Sequence, residues 1–313
     1  MTLLLSAAAF IASVLLLYIG SKKIVNAAAR LASSLNLHKV VVGTVFVATV
    51  TSAPELLSSV AAALYGSSQM ALGNIIGSNI YNIPLIIGIC GLLGAFKIKN
   101  STIGKECLLM TGIATILMIL TIATGKVTQW TGLIFLALYP AFIYYSIKKG
   151  NGNGNPGDPQ PKKLAKPVAA MILGGVSLIT GTFLLVYSAI SMAEIFGLSQ
   201  FYAGLTIMAL GCVVPETAVS VAAAIRGEQE ISIGNVIGDN IITMTLVLGI
   251  VALIRSFTVS IEEILTTVPF VILVTLVLFA MNKRSHKITK PWSMLMLAIA
   301  AAAFILETLN HIA

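Results

Sequence analysis

Charge is scarce in this 313-residue chain. Only 10% of residues are Asp, Glu, Lys or Arg, 58% are hydrophobic, and mean hydropathy is +0.99. Soluble domains carry about 25% charged residues, so a soluble fold is excluded, and a coiled coil or a disordered chain with it. Cysteine is sparse too. Cys90, Cys107 and Cys212 lie in or beside apolar runs and form no C-x-x-C pair, which excludes a disulfide scaffold and a cysteine zinc site. No Walker A motif and no soluble nucleotide-binding domain can be read, which argues against an ATP-driven pump. Histidine is missing from the apolar interiors: His38, His286 and His311 fall in or near connecting segments.

Apolar sequence is what the chain has in quantity. It comes in runs of about 20 residues, the length of a membrane-spanning helix, and not in the ~10-residue alternating segments of a transmembrane barrel. Ten segments are read at about 3–19, 39–65, 69–95, 106–125, 128–147, 168–191, 200–225, 231–254, 262–282 and 291–309. The first lacks the basic flank of a signal peptide and is kept as a span. The Lys148–Lys166 stretch is rich in Gly, Asn and Pro and reads as a linker. It divides the chain into 1–147, a 148–167 linker and 168–313, with five spans on each side.

Of 19 Lys and Arg residues, all but Lys126 and Arg255 fall on one side once the N-terminus is placed outside. By the positive-inside rule that side is the cytoplasm. Both termini are then outside, the linker is cytoplasmic, and the net charge of +8 reports topology in a lipid bilayer, with no nucleic-acid partner. The location expected is the cell (plasma) membrane.

The sequence also repeats itself. Gly43–Ile89 aligns without a gap on Gly204–Ile250, each partner 161 residues on: Pro54 with Pro215, Glu55 with Glu216, Ser59 with Ser220, Gly73-Asn74 with Gly234-Asn235, Asn79 with Asn240. The register extends back to Gly20 and Gly181. Five spans is an odd number, so the second half enters the membrane inverted. The fold class expected is therefore an all-α polytopic membrane protein: ten transmembrane helices as two inverted five-helix repeats, with broken helices at the midplane. Inverted repeats are the plan of secondary transporters, whose substrate site lies where the repeats meet.

Three of the eleven acids sit in the middle of apolar segments: Glu55, Glu216 and Asp239. An acid at the bilayer centre costs about 2.5–3.5 kcal/mol on insertion scales and marks a functional cavity. Pro54 and Pro215 each precede a glutamate. Proline removes a donor and displaces the carbonyl four residues earlier, which frees Val50 and Gly211 and loosens Thr51 and Cys212. Ser78 and Asn82 share one helix face, as do Asp239 and Thr243, by i,i+4 spacing. Asn74 and Asn235 read as hydrogen-bonding or capping groups. The donor set is oxygen throughout apart from the thiol of Cys212, which suits Ca²⁺, Mg²⁺ or Na⁺ over zinc or copper.

Thr51-Ser52-Ala53-Pro54-Glu55 followed by Gly73-Asn74-Ile75-Ile76-Gly77-Ser78-Asn79, and Pro215-Glu216 followed by Gly234-Asn235-Val236-Ile237-Gly238, resemble the paired motifs of the Ca²⁺/cation antiporter superfamily. Within it they are similar to the prokaryotic sodium/calcium exchangers. The resemblance implies Ca²⁺ held by Glu55 and Glu216 with the carbonyls of Thr51 and Cys212. It implies Na⁺ sites, or a shared central site, built from Ser52, Ser78 and Asn82 with the carbonyls of Ala48 and Ala209. It implies exchange of Ca²⁺ for Na⁺ by alternating access, no enzymatic activity and no cofactor beyond the transported ions. The second repeat departs from the family pattern. Cys212-Val213 stand where Thr-Ser is usual, Asp239 where Ser is usual, and Thr243 where Asp or Asn is usual. The acid has moved one helical turn along a face, so H⁺ stays open as the coupling ion beside Na⁺. A cation channel is the rival from another class; channels usually build their pore from several subunits, whereas this chain carries its own two-fold repeat.

Overall fold

The computed structural model describes residues 3–33, 42–94, 102–150, 165–225, 227, 229–285 and 288–312. Most of the expected linker lies outside them, as do Lys39, Lys97, Lys99, Lys162, Lys163, Arg226 and Lys287 from the basic-loop count. In chain order the elements are α1 (Leu3–Ser33), a π-helical segment (Val42–Val47), α2 (Ala48–Thr51), α3 (Ala53–Leu64), α4 (Ser68–Leu92) and α5 (Thr102–Thr124). Then come β1 (Lys126–Val127), α6 (Gln129–Gly150), α7 (Ala165–Phe196), α8 (Gln200–Ala203), a π segment (Gly204–Met208) and α9 (Ala209–Ile225). The chain goes on through α10 (Gln229–Ile242), a π segment (Thr243–Val247), α11 (Leu248–Ile254), β2 (Phe257–Thr258), α12 (Ile261–Ser285) and α13 (Lys290–Ile312).

Among the described residues nine helical stretches are long and apolar enough to cross a membrane. The tenth expected span, 39–65, is described from Val42 and is divided at Ser52 into α2 and α3. Pro54 stands in the first turn of α3, where its missing N–H costs nothing. Ser52 closes α2 instead: its N–H donates to the Ala48 carbonyl at 2.8 Å and its Oγ donates to the same oxygen at 2.7 Å.

Pro215 does not have the same effect. Counter to the expected break there, α9 runs on from Ala209 to Ile225. The irregularity of the second repeat lies a turn earlier, in the π segment Gly204–Met208, which the first repeat mirrors at Val42–Val47. A π segment takes one extra residue per turn and is common at functional sites. A second mismatch follows in the next span. Thr243–Val247 is π-helical, whereas the matching stretch of α4 stays α-helical around Pro84.

Burial orders the layers. Over the membrane-length windows, α4 is 83% buried and Ser232–Ile254 is 78% buried, against 22% for α1. Thus α4 and α10–α11 form the centre, and α1 packs on α7 at the periphery. Large apolar side chains on α1 (Leu4, Leu5, Ile11) and on α7 (Ile172, Leu173, Val176) are exposed, as lipid-facing surface requires. A Cβ on Gly20 would lie 2.8 Å from the Gly174 carbonyl, and one on Gly181 3.1 Å from Leu16 and Leu17, so this pair closes on its repeat-related glycines.

The two central crossings obey the same repeat. A Cβ on Gly77 would meet the Leu205 carbonyl at 2.3 Å and the Ala209 Cβ at 2.7 Å. One on Gly238 would meet the Thr44 carbonyl at 2.3 Å and the Ala48 Cβ at 2.8 Å. Each central helix therefore lies directly against the other repeat's π segment. A two-residue antiparallel ladder, Lys126 with Thr258 and Val127 with Phe257, ties the halves at one end of the bundle.

Candidate functional site

The crossings bring Glu55, Glu216 and Asp239 together. All three are fully buried, and one carboxylate oxygen from each lies within 4.8 Å of the others. Glu55 occupies the first turn of α3, where the positive end of the helix dipole meets a carboxylate. Glu216 is carried by α9 and Asp239 by α10. Repulsion between two carboxylates at this separation is on the order of 3 kcal/mol at an effective dielectric near 20. The three-acid arrangement therefore calls for bound positive charge.

Hydrogen bonding separates the acids. Neither oxygen of Glu55 and neither oxygen of Glu216 has a hydrogen-bond partner. Asp239 is held on both sides, by the Ser52 hydroxyl and by Asn82 Nδ2 at 2.8 Å. A buried carboxylate oxygen left without a donor costs several kcal/mol unless a cation or proton meets it. Four such oxygens on two side chains are hard donors, the type that a cation of the Ca²⁺ class takes.

A ring of buried amides and hydroxyls supports the acids. Asn235 accepts from Thr51 Oγ1 at 2.9 Å and donates to Ser220 Oγ at 2.9 Å. Asn74 donates to Ser59 Oγ at 2.9 Å and to Ser58 Oγ at 3.2 Å, but its Oδ1 has no partner. The position that mirrors Thr51 is Cys212, whose sulfur contacts Ser58 Oγ at 3.4 Å. Asn79 donates to Thr243 Oγ1 at 2.8 Å and to the Ile75 carbonyl at 2.8 Å. Asn240 accepts from Asn82 at 3.1 Å and donates to the Asn79 carbonyl at 3.2 Å.

The expected site residues fall into three groups. Glu55, Glu216, Asp239, Ser52 and Asn82 converge directly, through the carboxylate cluster and the two bonds to Asp239. Thr51, Cys212, Ser78 and Ala209 are buried in the same layer; Ser78 Oγ is unpartnered, and Ala209 is packed against Gly77. Ala48 and Thr243 are engaged elsewhere. The Ala48 carbonyl accepts from Ser52 N, Ser52 Oγ and Thr51 Oγ1, and the Thr243 hydroxyl donates to the carbonyls of Asp239 at 3.0 Å and Asn240 at 3.1 Å. Threonine in a helix readily turns back in this way. The ring members Ser58, Ser59, Ser220, Asn79 and Asn240 were not among the site residues read from sequence. Their signal was present: Ser59/Ser220 and Asn79/Asn240 are identical polar pairs in the repeat.

Comparison with known proteins points the same way. A family model described as sodium/calcium exchanger protein matches residues 5–148 and 166–308. The inner membrane protein YrbG of Escherichia coli (strain K12) is 30% identical over 263 residues, covering 80% of this chain and 81% of that protein. The sodium/calcium exchanger MaX1 of Methanosarcina acetivorans is 27% identical, covering 91% of this chain and 93% of its own. Among solved structures, the sodium-calcium exchanger NCX_Mj soaked with Na⁺ and Sr²⁺ superposes with a TM-score of 0.74 at 26% identity, covering 97% of this chain and 99% of that one.

Proposed function

The chain belongs to the sodium/calcium exchanger family, a family of membrane cation antiporters, and from that premise we propose that it exchanges Ca²⁺ for Na⁺ by alternating access. One observation carries the reading: all four carboxylate oxygens of Glu55 and Glu216 are unpartnered, and one oxygen from each lies within 4.8 Å of one from a third buried acid, Asp239. In this reading Ca²⁺ sits between Glu55 and Glu216, with Asp239 and the carbonyls of Thr51 and Cys212 completing an oxygen cage. Na⁺ replaces it at positions bounded by Ser52, Ser78 and Asn82 and the carbonyl of Ala209, the Ala48 carbonyl and the Thr243 hydroxyl being taken up by their own helices. The carboxylates hold one kind of ion or the other. Carrying them bare through hydrocarbon is costly, so only the loaded forms switch, and that enforces exchange.

The moving part is the α1–α7 pair, which slides over the central helices as one body; its tight contacts at Gly20 and Gly181 support that unity. Residues 1–147 and 168–313 act as the two inverted repeats, joined by the cytoplasmic linker 148–167, in the cell membrane with both termini outside. A second reading puts H⁺ in the place of Na⁺. It draws on Val213, which offers no oxygen where the first repeat has Ser52.

The test is ⁴⁵Ca²⁺ uptake into proteoliposomes under imposed Na⁺, H⁺ or K⁺ gradients. Uptake driven by an outward Na⁺ gradient is the expected result, and uptake driven by H⁺ alone selects the second reading. Uptake that needs no counter-ion on the opposite side would make the chain a channel.

A further inference from the structure

We propose that the chain holds a second cation site, separate from the central one, at the end of the bundle where α8, the start of α12 and the end of α13 meet. A cavity of about 200 Å³ opens there, lined by Ser199, Tyr202, Glu262, Glu263, Thr266 and Glu307 among others. Its helices carry none of the three central acids.

Two of its acids have a local use. Ser260 precedes α12 and Glu263 follows three residues on, the spacing of a capping box, and the Ser260 backbone hydrogen-bonds Glu263. Glu262 shares that first turn, where the helix dipole favours an acid. Neither reason covers Glu307. It lies near the end of α13, where the dipole disfavours a carboxylate and favours a cation. It is only 6% exposed, and its Oε1 has no hydrogen-bond partner. Oε2 of Glu263, on the same cavity, is unpartnered as well.

A cation between Glu307 and Glu263 meets both oxygens at once. Further ligands are at hand. The Thr266 hydroxyl, which hydrogen-bonds Glu307 and reaches the carbonyls of Glu262 and Glu263 at 3.0 and 3.1 Å, keeps a lone pair free. The last carbonyls of α13 have no partner within their own helix. This all-oxygen set, with two carboxylates, selects a hard divalent cation of the Ca²⁺ class. One wall is fixed by the Tyr202 ring stacked on His311 at 4.5 Å, with the Tyr202 hydroxyl bonded to Thr308 at 2.7 Å. Tyr202 also ends α8, which leads through the π segment into α9 and Glu216. With the sidedness proposed above, the cavity lies at the outer mouth, and a divalent ion there waits next to the transport path.

The test is Mn²⁺ binding to the purified full-length chain, read by electron paramagnetic resonance as free against bound ion. The native chain is expected to bind two ions, Glu307→Gln one, and Glu55→Gln one. Glu307→Gln should keep its ⁴⁵Ca²⁺ flux at saturating Ca²⁺ while requiring several-fold more Ca²⁺ to reach it. Native binding of a single ion that Glu55→Gln abolishes overturns the proposal, and so does full retention of two ions by Glu307→Gln. Two ions retained by Glu55→Gln would count against the central assignment and leave this one standing. Should Glu307→Gln fail to give a monodisperse protein, Glu263→Gln is read by the same criteria.

Discussion

In the first repeat the short helix before Glu55 ends in Thr51-Ser52; at the matching place before Glu216 the second repeat has Cys212-Val213. Although the helix breaks at Ser52 and runs on through Val213, the helix crossings around them obey one plan, with glycines 161 residues apart pressed on matching carbonyls. The polar chemistry does not. Thr51 donates to Asn235, Ser52 to Asp239 and Asn82 to Asp239, so every one of these bonds runs from a donor in the first repeat to an acceptor in the second. Their mirror images are missing. Asn74 Oδ1 and Ser78 Oγ, the counterparts of the Asn235 and Asp239 acceptors, have no partner. A symmetric scaffold thus holds an asymmetric site, with its third negative charge fixed on one side of the pseudo-two-fold axis.

Four measurements break or sharpen that contrast, the largest effect first. Glu55→Gln and Glu216→Gln each remove a repeat-related acid, and both are expected to abolish ⁴⁵Ca²⁺ flux in proteoliposomes; normal flux in either removes that residue from the site. Asp239→Asn has no counterpart in the first repeat. It keeps the contact with Ser52 and deletes one charge, so Ca²⁺ affinity by titration calorimetry should fall by about 1.5–3 kcal/mol, or roughly 10–100-fold. The same change at Ser78, Ser78→Ala, should cost far less. The double change Cys212→Thr with Val213→Ser supplies the second repeat with the hydroxyls it lacks, aimed at Asn74 and Ser78. A net gain of about 1 kcal/mol for each of the two hydrogen bonds would appear as roughly 30-fold higher apparent Na⁺ affinity, and an unchanged Na⁺ dependence would mean those hydroxyls do not set it. Smallest is the amide pair: each side chain makes two hydrogen bonds, so Asn235→Ala and Asn74→Ala should lower thermal stability about equally, and a larger loss for Asn235→Ala would mark its bond to Thr51 across the repeats as the stronger.

The scaffold was legible because membrane length and sequence repetition are both written in residue order. Glu55, Glu216 and Asp239 were legible because a carboxylate inside an apolar run has few reasons to be there. The helix irregularities were not. Pro54 and Pro215 are equivalent in sequence, yet the chain turns at Ser52 and continues through Pro215. A π segment such as Val42–Val47 or Gly204–Met208 leaves no compositional mark, since it is chosen by packing against the opposite repeat. The roles of Thr243 and Ala48 were hidden for a related reason. Helical spacing fixes which face a residue occupies, but not whether its hydroxyl or carbonyl is already used by the helix itself. The interlocking amides could have been found by asking which polar pairs survive in both repeats.

The short ladder between Lys126–Val127 and Phe257–Thr258 has a mechanical consequence. It fastens the turn between α5 and α6 to the turn between α11 and α12. Gln129 adds contacts to Ser256 at 3.2 Å and Leu253 at 3.3 Å, and Val259 N–H reaches the Gly125 carbonyl at 3.1 Å. The clasp joins helices from opposite halves of the chain, so those helices cannot part at that rim. In the alternating-access reading proposed above, the α1–α7 pair moves against that fastened rim like a door hung on a fixed frame.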